Sequence, residues 1–474
     1  MNYLQLLKTE QLHEDGLEVK NPFNNHSICK VATFSADTID ELVEDANKSM
    51  QAWKRTSAKH RAQTLRKWFD LIMENQELLA QLMTAECGKP ISESRGEVAY
   101  GASFVEWFAE EIKRSNGDIV PSHAADKQVL VLKQAIGVCA AITPWNFPLA
   151  MITRKVAPAL AAGCAILVKP AEATPLTALA IENLAKQAGI PDALFKVLPS
   201  NNPKAIGEQF CQHNTIRKLS FTGSTQVGRM LMQQSAANIK KLSLELGGNA
   251  PFIIFADADI DAAVEGAMAS KFRNAGQTCI CANRFIVHQD VMATFVAKLT
   301  TKIKQLEIGD GASETTKIGP LINEAAIRKV QDLVTTAVDE GATLVCGGKV
   351  SKTNERIFLP TVLSNVTPDM KIMFEEIFGP VVTICEFNST QEAIDIANNT
   401  IFGLAAYFYT QSQKTTWQVM QALEYGMVGI NEGIISTEVA PFGGIKQSGL
   451  GREGSKYGLD EYLELKYALL GGLD

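Results

Sequence analysis

VCAAITPWNFPLAMITRKVAPALAAGCAILVKPAE, residues 138–172, decides the fold class. Val138–Ile142 is a short apolar run, Met151–Ala162 has the length of a helix, and Ala165–Val168 is a second apolar run. Runs apolar on both faces belong to parallel strands covered by helices. The alternation continues downstream with a helix over Thr177–Ala188, strands at Phe195–Leu198 and Lys218–Phe221, and a helix from about Thr225. This βαβ rhythm predicts a doubly wound parallel sheet of Rossmann type. A second series starts at Pro251-Phe252-Ile253-Ile254 and runs to about residue 440. Upstream, residues 38–115 read as helices, with Leu65, Trp68, Phe69, Ile72 and Met73 at helical spacing and Gly88-Lys89-Pro90 as a stop. KQVLVLKQAIG (127–137) alternates and predicts an exposed strand pair.

A chain of 474 residues exceeds one compact core, so two or three domains are expected. No repeat or Pro-rich linker separates them, and a cleft between apposed domains is the default active site. The net charge of −7 comes without a Lys/Arg block, which argues against nucleic acid. An acidic surface does not draw small anions, so an anionic substrate needs local cations. The start, MNYLQLLKTEQLHEDG, lacks a basic-then-apolar leader, and no run has the length of a membrane span. Nine scattered cysteines without a CxxC read as reduced thiols, and the expected location is the cytoplasm. No metal site is expected.

The chemistry-bearing segments follow the strand ends. In FRNAGQTCICANR (272–284), Cys279 has small polar neighbours that leave its sulfur accessible. The other eight cysteines read as buried structural residues. None of His13, His26, His60, His123, His213 and His288 lies in a motif-like segment, so a Cys-His dyad is disfavoured. Glu245 in KLSLELGGN (241–249) has apolar flanks and following glycines, which fits a general base with a raised pKa; its plain alternative is a surface charge. In TPWNFP (143–148), Asn146 can donate to an oxyanion or simply form the turn. FTGSTQVG (221–228) opens a helix after a strand and can receive a phosphate. Lys169 and Glu172 follow another strand end, where a carboxylate can accept ribose hydroxyls and repels a 2′-phosphate.

Together, TPWNFP, VKPAEATP, FTGSTQVG, LELGGNAP, GQTC, EEIFGP (375–380) and PFGGIKQSG (441–449) resemble the aldehyde dehydrogenase superfamily, in the same order over nearly the whole chain. FRNAGQTCICANR and the 431–467 segment are similar to its succinate-semialdehyde branch. The resemblance implies a Rossmann-type NAD(P)-binding domain (1–118 and 138–246), an α/β catalytic domain (247–443) and a small β oligomerisation arm (119–137 and 456–474). It implies Cys279 as nucleophile, Glu245 as base, and Asn146 with the Cys279 N–H as oxyanion hole. Trp145, Lys169, Glu172, Gly223, Ser224, Gly228, Glu376 and Phe378 match cofactor positions. Arg154, Arg273 and Ser436 match a clasp for a substrate carboxylate, with Thr437 able to replace the serine after a one-residue shift. The plain alternative for either arginine is a structural ion pair.

The implied reaction is oxidation of a carboxylated aldehyde through a cysteine thioester that water hydrolyses. Succinate semialdehyde is the first expectation and glutarate semialdehyde its rival, since one methylene shifts selectivity by only about 1–3 kcal/mol. Some relatives have Ser at the position of Glu172 and use NADP, so Glu172 points to NAD with NADP possible. Cys281, two residues beyond the nucleophile, matches a redox partner in some relatives, though a Cys-x-Cys disulfide is strained. A homodimer or homotetramer is expected. The readings from other classes are a cysteine hydrolase and an inactive structural relative; cofactor-dependent aldehyde turnover separates both from the dehydrogenase.

Overall fold

A computed structural model describes residues 2–473. Two sheets organise the chain. The first is six-stranded, in the order Gly449–Leu450, Lys241–Glu245, Ile216–Thr222, Val138–Ile142, Ala165–Lys169, Phe195–Val197. Five of its strands form four parallel pairings, and only Gly449–Leu450 is antiparallel. Every residue of Ala165–Lys169 is buried, which is why the strand reads as an unbroken apolar run. Helices Ala150–Ala162 and Pro175–Gln187 connect its strands, and the helices between Ile39 and Glu111 cover it. Gly88 is left-handed at φ 82 and ends the helix Gln76–Cys87, as its residue type predicts.

The second sheet is seven-stranded, centred on Ala250–Ile254, Ala282–His288 and Val381–Phe387. It is parallel except for the edge strand Thr343–Cys346. Each sheet has its own core: one is built from Trp68, Leu167, Phe195 and their neighbours, the other from Phe252, Phe285 and Tyr407.

Two details differ from the sequence reading. Residues 127–137 are not a strand pair: Gln128–Ala135 is one strand, held between Asp118–Val120 and Leu463–Leu470 of the same chain. Its partners lie at the two ends of a long sequence gap, which local alternation cannot reveal. The segment from 456 does not go wholly to this arm, because the helix Ser455–Asp460 packs on helices of the first unit and only the strand Leu463–Leu470 joins the arm. An N-terminal hairpin, Leu12–Lys20 with Ser27–Val31, adds a two-stranded sheet. Among the described residues, no helix is long and apolar enough to cross a membrane, and no cluster of His, Cys, Asp and Glu could hold a metal ion.

Candidate active site

The helix Ile260–Phe272 ends just before Arg273, and the chain then turns through three left-handed residues, Asn274, Ala275 and Gly276. A Cβ on Gly276 would lie 2.2 Å from the Gly379 carbonyl oxygen, so this turn is pressed against the EEIFGP segment. It delivers Cys279 between the two sheets. A Cβ on Gly248 would come 2.2 Å from the Cys279 carbonyl oxygen, so the GG of LELGGN lets the nucleophile loop sit directly on the end of the first sheet.

Cys279 is partly exposed, but Cys29 and Cys346 are too, so six rather than eight of the remaining cysteines are buried. Exposure alone does not single it out; its company does. Burial pushes the Cys279 thiol up to about 12, the Glu376 and Glu245 carboxylates add to this, and Arg154 opposes it. At neutral pH the resting sulfur is a thiol that must lose its proton to react.

Glu245 ends the strand Lys241–Glu245 and is 2% exposed. Neither of its carboxylate oxygens receives a hydrogen bond. Burial, followed by the nearby Glu453 carboxylate, holds its pKa well above the usual carboxylate range, against the pull of Arg154 and Lys155. Such a group binds a proton readily and has no internal partner to release. Asn146 is buried beyond the strand Val138–Ile142, and its Nδ2 donates to the Gln277 carbonyl at 3.0 Å. One amide N–H remains for another acceptor.

A cavity of about 260 Å³ joins these three residues to Pro144, Trp145, Gly223, Ser224, Glu376 and Phe378. Trp145 and Phe378 meet edge to face at 5.8 Å. Glu376 accepts from the Gly248 N–H at 3.0 Å, and burial raises its pKa to about 7. Ser224 caps the helix Thr225–Ser235, whose first turn therefore opens at the cavity and offers unpaired N–H groups to an anion. This mostly apolar wall, with Glu376 and the opening turn of that helix as polar groups, fits a nicotinamide dinucleotide. Gly228 is not part of the wall. It lies one turn into that helix, where a Cβ would come 2.4 Å from Leu246, so its absence of a side chain serves helix-on-strand packing. Lys169 and Glu172 sit at the end of a neighbouring strand and are paired with each other.

On the opposite side, Cys279 and Met151 also line a small inner cavity of about 20 Å³ with Arg154, Arg273 and Ser436. Arg273, Ser436 and Tyr100 then open onto an outer vestibule of about 520 Å³. The sulfur thus stands between two approaches. The Arg273 guanidinium stacks over Phe147 at 4.6 Å and makes no ion pair with any described carboxylate within 4.0 Å. Arg154 differs. Its Nε lies 2.6 Å from Glu453, which also pairs with Lys155, while its Nη2 is buried without an acceptor. The ion-pair reading of Arg154 is therefore met by Glu453, and one edge of the guanidinium still lacks a partner. Cys281 turns away: its thiol is buried, donates to the Lys271 carbonyl at 3.3 Å, and lines neither cavity.

Several wall residues were not singled out by the sequence reading. Phe147 and Phe442 lie inside quoted motifs, but an aromatic there reads as packing. Tyr100 comes from the middle of the helix Ile91–Glu111, and nothing local marks it. Glu453 and Lys155 line none of these cavities but pair with each other behind Arg154, and they are marked only as charges that turn out to be buried.

A family model described as "Aldehyde dehydrogenase family" matches residues 8–468. The chain is 53% identical over 457 residues to a succinate-semialdehyde dehydrogenase [NADP(+)] of Escherichia coli (strain K12), covering 96% of this chain and 95% of that protein. It is 52% identical to a glutarate-semialdehyde dehydrogenase of Pseudomonas aeruginosa, covering 96% and 94%. A crystal structure of succinate-semialdehyde dehydrogenase from Burkholderia pseudomallei superposes with a TM-score of 0.97 at 52% identity, covering 98% of each chain.

Proposed function

The chain belongs to the aldehyde dehydrogenase family, and from that premise we propose that it oxidises a short aldehyde with a distal carboxylate, succinate semialdehyde foremost, to the corresponding acid. The observation that carries the substrate class is the Arg273 guanidinium, stacked on Phe147 without an ion-pair partner in the same small cavity as Cys279. A guanidinium held beside a reactive thiol without a carboxylate is arranged for an incoming anion. The free edge of Arg154 and the hydroxyl of Ser436 complete the clasp.

In this reading, Glu245 accepts the thiol proton and the Cys279 thiolate attacks the aldehyde carbon. The C–S bond forms, and the carbonyl electron pair moves to oxygen, where the free Asn146 N–H and the Cys279 N–H receive it. The dinucleotide, when bound, supplies the acceptor for the hydride that leaves this carbon. The carbonyl re-forms as a thioester on Cys279. Glu245 gives the thiol proton up to solvent and then takes a proton from water as water attacks that thioester; the C–S bond breaks, the sulfur takes that proton from Glu245, and the acid leaves.

Trp145, Gly223, Ser224, Glu376 and Phe378 hold the dinucleotide in the cavity they line, and Gly228 supports their wall. Lys169 and Glu172 take its adenosine ribose. We assign NAD as the main cofactor: the Glu172 carboxylate repels a 2′-phosphate, and Lys169 is already paired with it. Succinate semialdehyde stands first and glutarate semialdehyde is its rival, since a relative of each name lies at a similar identity. The arm sheet exposes Ile119, Leu465 and Tyr467 at 75%, 70% and 62%, and we assign this face to contacts between copies in a homodimer or homotetramer.

The test is kcat/KM for succinate semialdehyde, glutarate semialdehyde and butanal in the wild type and in Arg273→Met. A charged hydrogen bond is worth about 1.5–3 kcal/mol, so the variant is expected to lose on the order of 10- to 100-fold for the two acids and little for butanal. An equal loss for all three removes the anion clasp from the account.

A further inference from the structure

We propose that Lys89 is a positioning residue for the reaction, acting through the Asn146 peptide. The inference rests on the reading of Asn146 as the oxyanion donor. Gly88 turns the chain at the end of the helix Gln76–Cys87, and the Lys89 side chain that follows is fully buried. Its ammonium donates to the Asn146 carbonyl at 2.6 Å, pairs with Glu97, and lies 4.1 Å from the Phe147 ring centre. The other Glu97 oxygen accepts from the N–H groups of Leu149 and Ala150, at 3.0 and 3.2 Å. The Lys89–Glu97 pair thus grips the Asn146–Ala150 segment at both ends.

A second set of bonds ties the same peptide to the nucleophile loop. Asn274 Nδ2 donates to the Asn146 carbonyl at 3.0 Å, and Asn146 Nδ2 donates to the Gln277 carbonyl at 3.0 Å. Gln277 in turn donates to the Asn274 carbonyl at 3.0 Å and accepts from the Ile322 N–H at 3.0 Å. Glu93 accepts from the Asn274 N–H at 2.7 Å and so holds the left-handed turn of Asn274 and Ala275, a conformation that non-glycine residues avoid. The loop carrying the amide and the loop carrying the sulfur are therefore one hydrogen-bonded unit, and its ammonium is Lys89.

A buried ion pair is a poor way to stabilise a fold, since a well-packed apolar pair of similar volume does as well or better. Its position explains it. Asn146 has one N–H committed to Gln277, and only the direction of the second can serve an oxyanion. Rotation of the Asn146 peptide would swing that direction, and small misplacements of a catalytic group are costly in rate. Lys89 and Asn274 both hold the carbonyl and prevent that rotation.

A double-mutant cycle tests this, read as the rate of the first turnover of dinucleotide reduction. Lys89→Met/Glu97→Gln removes both charges, so neither is left orphaned, and keeps an acceptor for Leu149 and Ala150. It is expected to slow the first turnover by about tenfold or more, with KM for NAD changed less than about twofold. Placed on Asn146→Ala, the same pair of substitutions is expected to cost less than about twofold, because the group it aims is gone. A merely structural loss would carry over in full. If the pair variant does not fold, Lys89→Gln enters the same cycle with the same expectation. Full additivity, or an unslowed first turnover, overturns the inference while leaving the proposed reaction intact. An Asn146→Ala enzyme as fast as the wild type overturns the oxyanion assignment and this inference together.

Discussion

At the scale of residues, the reaction turns on two proton affinities that burial sets. The Cys279 thiol is pushed up to about 12, and burial with the Glu453 carboxylate holds Glu245 well above the usual carboxylate range. Only the deprotonated form of Glu245 accepts a proton. In the wild type, kcat should therefore rise with pH through a pKa above the usual carboxylate range. Glu245→Gln should lose that rising limb and fall in kcat by about 10²–10⁴-fold; a rising limb kept by the variant would assign it to another group, and Glu376, at about 7, is the first to examine. At the cofactor end, Glu172→Ser should raise kcat/KM with NADP relative to NAD, measured by initial rates, and an unchanged ratio would remove Glu172 from selectivity. Cys279, Glu245 and Asn146 were legible in the sequence because each lies in a short segment with a strand end or glycines beside it, whereas Glu376 was marked only by the family resemblance. Lys89 and Tyr100 were not, since their partners arrive from elsewhere in the chain.

At the scale of elements, the site depends on backbone approaching backbone. Gly228 lets the helix Thr225–Ser235 lie against Leu246, next to the base. Gly228→Val should lift that helix, lower stability by about 1–3 kcal/mol through overpacking, and raise KM for NAD more than KM for the aldehyde. Thermal unfolding and initial rates check the two effects separately. An unchanged KM for NAD would mean that the helix does not set the cofactor wall. Four of the six strands of the first sheet were legible to within about two residues, because their mostly buried positions give apolar runs, whereas Gly449–Leu450 was not. The partner of Gln128–Ala135 was not, since the strand it meets begins at Leu463 and pairing across that distance leaves no local mark.

At the scale of the whole molecule, two sheets with separate cores bring a dinucleotide cavity and an arginine-lined passage to opposite sides of one sulfur. Neither unit holds the site alone: Asn146 and Glu245 come from the first sheet, Cys279 and Glu376 from the second. The arm sheet adds an apolar face outside both. Leu465→Lys with Tyr467→Lys should reduce the sedimenting mass of the protein without unfolding it, and an unaltered mass would place the contact between copies on another face. The most direct measurement is mass spectrometry of the wild-type protein mixed with succinate semialdehyde and NAD, stopped in acid within the first turnover. The account predicts that the NADH formed in that turnover is accompanied by a succinyl group on the peptide that contains Cys279. First-turnover NADH with no acyl group on that peptide would contradict it.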